Sequence, residues 1–291
     1  MSQIISVAVS DWTPQIDVAT QEQIIDALES GHVVFLPQLN FAVEEDERPI
    51  FQSQLLGRSK NVSYLRETGQ LKGTDTTGAE RQGLQRMIAR FAEATATLMP
   101  HLLGPYAAAL RQARTSFRPV EIVGRQTSWR KDDSRLHVDN FPSSPCGTQR
   151  ILRVFSNVDP AGGSRLWRVG EPFDAVARHY LKTLRPPLPG SSQLLKTLGI
   201  TKTRRSAYDH YMLQLHDRMK ADAAYQQRAQ QNSIAFASGS SWMVFTDQVS
   251  HAAMAGQFAL EQTFMLPVEA MRSPERAPLR VLEGLMQRRL A

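Results

Sequence analysis

From residue 117 onward the chain breaks into short runs of β-branched and aromatic residues, at 120–123, 149–157, 233–237, 242–246 and 258–266, separated by turn-forming stretches. Runs this short, spaced by turns, predict a β-sandwich or jelly roll. The N-terminal third has a different texture. Thr20-Gln21-Glu22-Gln23 has capping-box spacing ahead of Ile24, Ile25 and Leu28, which predicts a helix over 20–30, and His32-Val33-Val34-Phe35-Leu36-Pro37 predicts a buried strand. Within 78–113, Leu84, Met87, Ile88 and Phe91 recur at helical spacing. Pro100 is expected to end one helix and leave 102–114 to form another.

Arg185-Pro186-Pro187-Leu188-Pro189-Gly190 reads as a stiff connector, and Tyr208, Met212, Leu215 and Met219 after it share one helical face. The expected organisation is one domain over 1–291. It has helical support plus a strand over 1–116, a β-core over 117–174 and 232–270, a mainly helical insertion over 175–231 and a C-terminal helix over 271–291. That last helix, with Leu279, Val281, Leu282, Leu285 and Met286 among arginines, reads either as a docking helix with a solvated basic face or as a contact for a membrane or partner.

Composition narrows the function classes. With 42% hydrophobic and 21% charged residues and no repeat or low-complexity tract, the chain falls among globular proteins. Its single cysteine, Cys146, excludes an internal disulfide and a cysteine-rich zinc site, so any metal must use His, Asp or Glu. No run of 18 uncharged apolar residues occurs and the first residues lack the pattern of a secretory signal, so a cytoplasmic location is expected. Lys+Arg 34 against Asp+Glu 28 gives a formal +6, which favours an anionic partner: nucleic acid, a membrane surface or a small acid. The lack of an aromatic RNP-type strand, zinc-finger spacing or a helix-turn-helix cue argues against nucleic acid.

The sharpest chemical signal is Leu136-His137-Val138-Asp139. In a strand, residues i and i+2 point the same way, so an imidazole and a carboxylate converge on one point. Alone the pair is weak, since composition by itself gives a chain like this about 0.3 of them. A third group strengthens it: the apolar run from Trp242 ends in Thr246-Asp247-Gln248-Val249-Ser250-His251. Two His and one carboxylate make a facial triad that leaves open positions on an octahedral ion, the arrangement suited to non-haem Fe(II) and O2.

These residues resemble the Fe(II)/2-oxoglutarate-dependent oxygenases, whose double-stranded β-helix carries a His-x-Asp near one strand and a distal His near another. The stretch from His137 through Asn140-Phe141-Pro142-Ser143-Ser144-Pro145-Cys146-Gly147 to Val158-Asp159-Pro160 is similar to the bacterial Kdo hydroxylases, which act on 3-deoxy-D-manno-oct-2-ulosonic acid in the lipopolysaccharide inner core. Segments 31–37 and 208–220 and the region around His251 fit the same family, so the resemblance spans about residues 20–270. It implies a jelly-roll (cupin-like) core with helical additions and a metal site of His137, Asp139 and His251. It also implies Fe(II), 2-oxoglutarate and O2 as the reagents, and hydroxylation at C3 of a Kdo sugar linked to a lipid A precursor. The implied partners are that lipid and, peripherally, the anionic inner-membrane surface.

Many members of the superfamily place Arg or Lys about ten residues past the distal His to hold the far carboxylate of 2-oxoglutarate. Here that position is Glu261, and 252–271 contain no Lys or Arg. A buried dicarboxylate without a counter-charge would be costly. Arg150 and Arg153 are the cosubstrate-binding candidates. Strand alternation sets them on opposite faces and groups Arg153 with Phe155 and Asn157, so the expected cradle is Arg153 with Asn157. For the anionic sugar, the candidates are Arg125, Arg130, Lys131 and Arg135 ahead of His137, Arg165 and Arg168 after a Gly-Gly turn, and Arg204, Arg205 and His210 in the insertion. His216 is either structural or substrate-contacting. A function of another class, a β-barrel module that binds metal without catalysis, predicts no succinate formation.

Overall fold

The computed structural model describes residues 3–51, 53–56 and 59–291. The chain runs β1 (Ile4–Ser6), α1 (Val18–Glu29), β2 (Val33–Leu36), β3 (Val62–Leu65), β4 (Gln70–Lys72), α2 (Gly78–Leu102) and β5 (Arg111–Arg118). After a long loop that carries His137 and Asp139 come β6 (Gln149–Asn157) and β7 (Arg165–Val169). Four helices follow: α3 (Phe173–Tyr180), α4 (Ser191–Thr197), α5 (Ala207–Ala221) and α6 (Ala223–Arg228). The chain closes with β8 (Asn232–Phe236), β9 (Ser241–Phe245), β10 (His251–Ala255), β11 (Ala259–Pro267) and α7 (Pro278–Met286).

Two sheets face each other. The larger has the order β1-β2-β9-β6-β11-β5-β3-β4, and the smaller the order β10-β7-β8. The crossing order of β5, β11, β6 and β9 over β10, β7 and β8 is the jelly-roll pattern. Between the sheets Phe155, Trp167, Phe236 and Trp242 form an aromatic core, with Phe236 and Trp242 stacked 3.9 Å apart and Phe155 edge-on to Trp167 at 5.0 Å. Alternation decides what each strand sends inward. On β9, Trp242 and Val244 enter this core, while Met243 and Phe245 face the helices together with Leu152 and Val154 of β6. Helix α2 covers the far end of the large sheet, burying Leu84, Met87, Ile88 and Phe91 against Phe117 and Leu260.

Four local expectations differ from the structure. Helix α1 begins at Val18, because Asp17 caps it by accepting from Thr20 N at 2.7 Å, so the 20–23 box lies inside the helix. Pro100 sits within the last turn of α2 and does not stop it. No helix forms over 102–114: Gly104-Pro105 turns the chain, and from Arg111 the residues pair with β3 and β11. Residues 120–123 form a bend past the end of β5. The N-terminal region is thus less helical than expected, since it supplies five strands of the large sheet.

Helices α3 to α6 lie between β7 and β8. The C-terminal helix α7 buries Leu279 and Leu282 in the main core, and Leu290 N donates to Glu283 at 2.9 Å, which fits the docking alternative. Among the described residues, no helix is long and apolar enough to cross a membrane.

Candidate active site

His137 and His251 come together through the backbone. His137 N donates to His251 O at 3.0 Å and His251 N donates to His137 O at 2.9 Å, so the two residues face each other across an antiparallel bridge. Asp139 is fixed the same way, its N–H donating to Thr246 O at 2.8 Å. Ligand-capable atoms of His137, Asp139 and His251 all lie within 4.8 Å of one another, the one such cluster among the described residues.

The imidazoles are oriented from behind. His137 Nδ1 lies 2.7 Å from Arg135 O and His251 Nδ1 lies 2.8 Å from Val249 O, so each Nδ1–H donates to a carbonyl and each Nε2 is left with its lone pair facing the cluster. Trp167 stacks on His251 at 5.1 Å and His216 of α5 stands edge-on to His137 at 5.4 Å, which restricts both rings. Burial, with the neighbouring His251 and Lys220, holds His137 well below the usual imidazole range, and burial lowers His251 too. Both are therefore neutral at physiological pH. Burial alone would raise Asp139, but the Arg153 guanidinium holds its carboxyl well below the usual range. Two neutral imidazoles and a carboxylate are the donor set a divalent ion requires.

Around the triad lies a cavity of about 130 Å³, lined by Lys60, Arg118, Asp133, Arg153, Phe155, Arg165 and Trp167. Arg153 reaches Asp139 Oδ2 at 3.1 Å and Glu261 Oε1 at 3.0 Å, and Glu261 in turn accepts from Arg118 Nε at 2.8 Å. Asp133 collects Lys60 at 2.8 Å, Lys220 at 3.7 Å and Arg118 at 3.7 Å; burial would raise it, but Arg118 and Lys60 pull it far below its ordinary value. Arg165 is buried with its Nη1 on Gly256 O at 3.1 Å, and burial lowers it to about 10. Three residues of the lining carry a buried polar atom without a well-formed hydrogen bond: Arg153 Nε, Trp167 Nε1 and Asp139 Oδ2, the last meeting Arg153 only as an ion pair. Such atoms call for a partner, whether water, an ion or a ligand.

The expected cradle is only half present. Arg153 lines the cavity, whereas Arg150 projects to the helix side of β6, its Nε on Asp247 Oδ2 at 2.7 Å, Nη2 on Gln248 Oε1 at 2.7 Å and its guanidinium 4.1 Å over the Phe245 ring. Asn157 shares the parity of Arg153 but ends the strand. Its Nδ2 donates to Gly163 O and Phe236 O at 2.8 and 3.0 Å, and its Oδ1 accepts from Asp159 N at 3.1 Å, so it ties a turn and does not line the cavity.

The expected sugar-binding residues also lie elsewhere. Arg130 pairs with Asp217 at 3.2 Å over the Trp129 ring, Arg168 donates to Ser134 O at 2.8 Å from the outer face of β7, and His210 meets Arg185 O at 3.1 Å. Arg125 sits half-buried in the loop after β5 and outside the cavity lining. Of the arginines singled out for the sugar, Arg165 is the one in the lining. Lys60, Arg118, Asp133 and Trp167 were missed. They converge only through sheet pairing, and the one local clue is that Asp133 falls in the charged run before His137. A separate cavity of about 670 Å³ is lined by His32, Glu171 and Gln248, among others, and holds no metal-capable cluster among the described residues.

The family profile for 3-deoxy-D-manno-oct-2-ulosonic acid (Kdo) hydroxylase matches residues 11–289. The chain is similar to a solved structure of the Kdo hydroxylase KdoO, a non-heme Fe(II) alpha-ketoglutarate-dependent dioxygenase, in complex with alpha-ketoglutarate and Fe(III). They share 47% identity over 99% of this chain and 97% of that one, with a TM-score of 0.96. The complex of the same enzyme with succinate and Fe(III) gives 47% and 0.96, and its apo structure 48% and 0.96, at the same coverage. No curated protein sequence matches. A profile match over nearly the whole length, together with near-superposition at this identity, establishes that the chain belongs to the Kdo hydroxylase family.

Proposed function

We propose that this chain is an Fe(II)/2-oxoglutarate-dependent dioxygenase that hydroxylates C3 of a Kdo sugar in a lipid A-linked inner core at the cytoplasmic membrane face, with His137, Asp139 and His251 holding the iron. The observation that carries this reading is the convergence of two Nε2 lone pairs and the Asp139 carboxylate, whose only charged partner beside the triad, among the described residues, is Arg153, next to a cationic cavity. These residues fit a ferrous ion. When bound, it supplies the coupling of O2 to oxidative decarboxylation of 2-oxoglutarate to succinate and CO2, and to C–H hydroxylation.

The chain's own residues do the rest. Arg153 is the counter-charge for the far carboxylate: its Nε is undonated, it lies beside Asp139, and its planar fork suits a carboxylate. Trp167, which also lines the cavity, has a buried Nε1–H without a partner. Phe155 and the Trp167 ring form an apolar wall that excludes water. Lys60, Arg118, Arg153 and Arg165 outnumber Asp133 and Asp139 in the lining, which draws in an acidic sugar. Asp139 needs no proton movement to bind metal, since its neighbours already hold it ionised.

The test is succinate release from protein loaded anaerobically with Fe(II) and then given 2-oxoglutarate and O2, with and without a Kdo-containing lipid A precursor. Stimulation by the lipid, with product heavier by one oxygen and loss of both in His137→Ala, is expected. Succinate without stimulation rejects the substrate, and no succinate from an iron-loaded protein rejects the oxygenase reading.

A further inference from the structure

The helical insertion contains an element that its own fold does not explain. Helix α4 has no buried residue. Leu194 and Leu198, four apart and so on one helix face, are 58% and 63% exposed, while Leu188 just before the helix is 77% exposed and Ile200 just after it 52%. The segment is nonetheless well defined. Gly190 enters it with a positive φ, and it ends in a Schellman motif: Gly199 at φ +68, with Ile200 N donating to Leu195 O at 3.0 Å and Gly199 N to Lys196 O at 3.0 Å. A helix shaped at both ends that packs nothing into the core has its apolar face reserved for something outside it.

Charge identifies the occupant. Residues 181–208 hold Lys182, Arg185, Lys196, Lys202, Arg204 and Arg205 and no Asp or Glu, a formal +6 equal to the net charge of the whole chain. None of the six forms an ion pair among the described residues. The protein's cationic excess is therefore gathered around its most exposed leucines, the combination that seats a protein in the interfacial layer of an anionic bilayer.

The segment is also fastened beside the active site. Lys202 N donates to Ser143 O at 2.9 Å and Arg205 Nη2 to Pro142 O at 2.8 Å, in the loop that follows Asp139. Lys202 further lines a cavity of about 340 Å³, with Lys72 and Arg114, that shares Lys60 and Asn61 with the metal cavity. We infer that the α4 ridge is a membrane-docking surface, which inserts Leu188, Leu194, Leu198 and Ile200 among anionic phospholipid headgroups and holds the metal cavity's mouth at the bilayer. This deepens the lipid-linked reading above and rests on it for its purpose.

The experiment is co-sedimentation of the full chain with phosphatidylcholine vesicles, with and without phosphatidylglycerol. Expected is binding to the anionic vesicles only, weakened by salt. Leu194→Asp and Leu198→Asp should each lower it about tenfold, and Lys196→Gln about fivefold, while Arg289→Gln on the C-terminal segment leaves it unchanged. Thermal unfolding and lipid-independent succinate formation should match wild type, because these side chains touch neither core nor cavity. The inference is overturned if wild type ignores anionic vesicles or binds neutral ones equally, or if the leucine variants bind as wild type does. It is overturned as well if the ridge proves to mediate self-association that Leu194→Asp abolishes. Binding is read without turnover, so a chain that docks through α4 but fails to hydroxylate the lipid-linked sugar rejects the substrate reading alone.

Discussion

Arg150→Met separates a structural arginine from a cosubstrate arginine three residues away. Arg150 is fully buried, and its partner Asp247 is 2% exposed, with contacts of 2.7 and 3.3 Å between them. Methionine fills much of the space but leaves Asp247 and Gln248 Oε1 without their donor. Removing one member of a buried pair costs about 3–5 kcal/mol, which for a chain of this size lowers Tm by on the order of 10 °C. Burial already raises the Asp247 carboxyl despite Arg150, and loss of the guanidinium raises it further. The native state then binds this proton more tightly than the unfolded chain does. Stability of the variant should fall as pH rises from the ordinary carboxylate range through the folded pKa, so the gap from wild type is smaller at about pH 5 than at about pH 8. Arg150→Met/Asp247→Leu removes both charges and should recover most of the loss. Calorimetry across pH, beside the 2-oxoglutarate dependence of succinate formation, reads both effects. An unchanged Tm with a raised 2-oxoglutarate requirement would refute the argument.

Arg153→Met should raise the KM for 2-oxoglutarate at least tenfold, the effect of losing about 1.5–3 kcal/mol of charged hydrogen bonding; because it also strips the buried Asp139 and Glu261 of a cation, Tm falls as well, and the KM shift is what separates it from Arg150→Met. Asn157→Ala should cost about 1–3 kcal/mol by unfastening the turn that Gly163 and Phe236 share, leaving that KM unchanged; a shift in KM would return Asn157 to the cosubstrate. Gly256 has φ +107, and a Cβ there would lie 2.9 Å from Arg165 Cα, so Gly256→Ala should destabilise by about 1–3 kcal/mol and weaken anion binding through Arg165, as seen by thermal shift with and without 2-oxoglutarate. Chelation should cost about 3 kcal/mol of stability relative to protein held at metal concentrations near a hundred times Kd, read as a lowered Tm, and far-UV circular dichroism should show the chain still folded.

What could be read from the sequence was whatever depends on period and parity. Strand β6 was legible because Ile151, Leu152, Val154 and Phe155 form an apolar run bounded by turns, and the same parity set Arg153 against Arg150. The His-x-Asp pair stood out by its spacing, but the strand expected to align it is a loop held by one isolated bridge at His137, and His251 stood out by following an apolar strand. Parity does not say where along a strand the cavity lies, which is why Asn157, at the end of β6, was misplaced. Nor does local pattern reveal pairing partners. Arg111–Arg118 has modest apolar content, and it is β3 and β11 on either side that make it a strand. Lys60, Arg118, Asp133 and Trp167 come from four separate stretches whose meeting depends on that pairing. Glu261 was noted as a departure. In the structure it seats Arg118 and Arg153 together, turning the missing cation into a bridge between two others.

The reciprocal bond between the main chains of His137 and His251 also fixes when iron can arrive. The two residues are more than a hundred positions apart and become neighbours only when β10 closes against the His137 segment. Such distant pairings form late, because the entropy of closing the loop must be met first. The complete donor set therefore exists only once the sheets have closed, so metal affinity reports on the finished fold and not on any fragment that ends before β10.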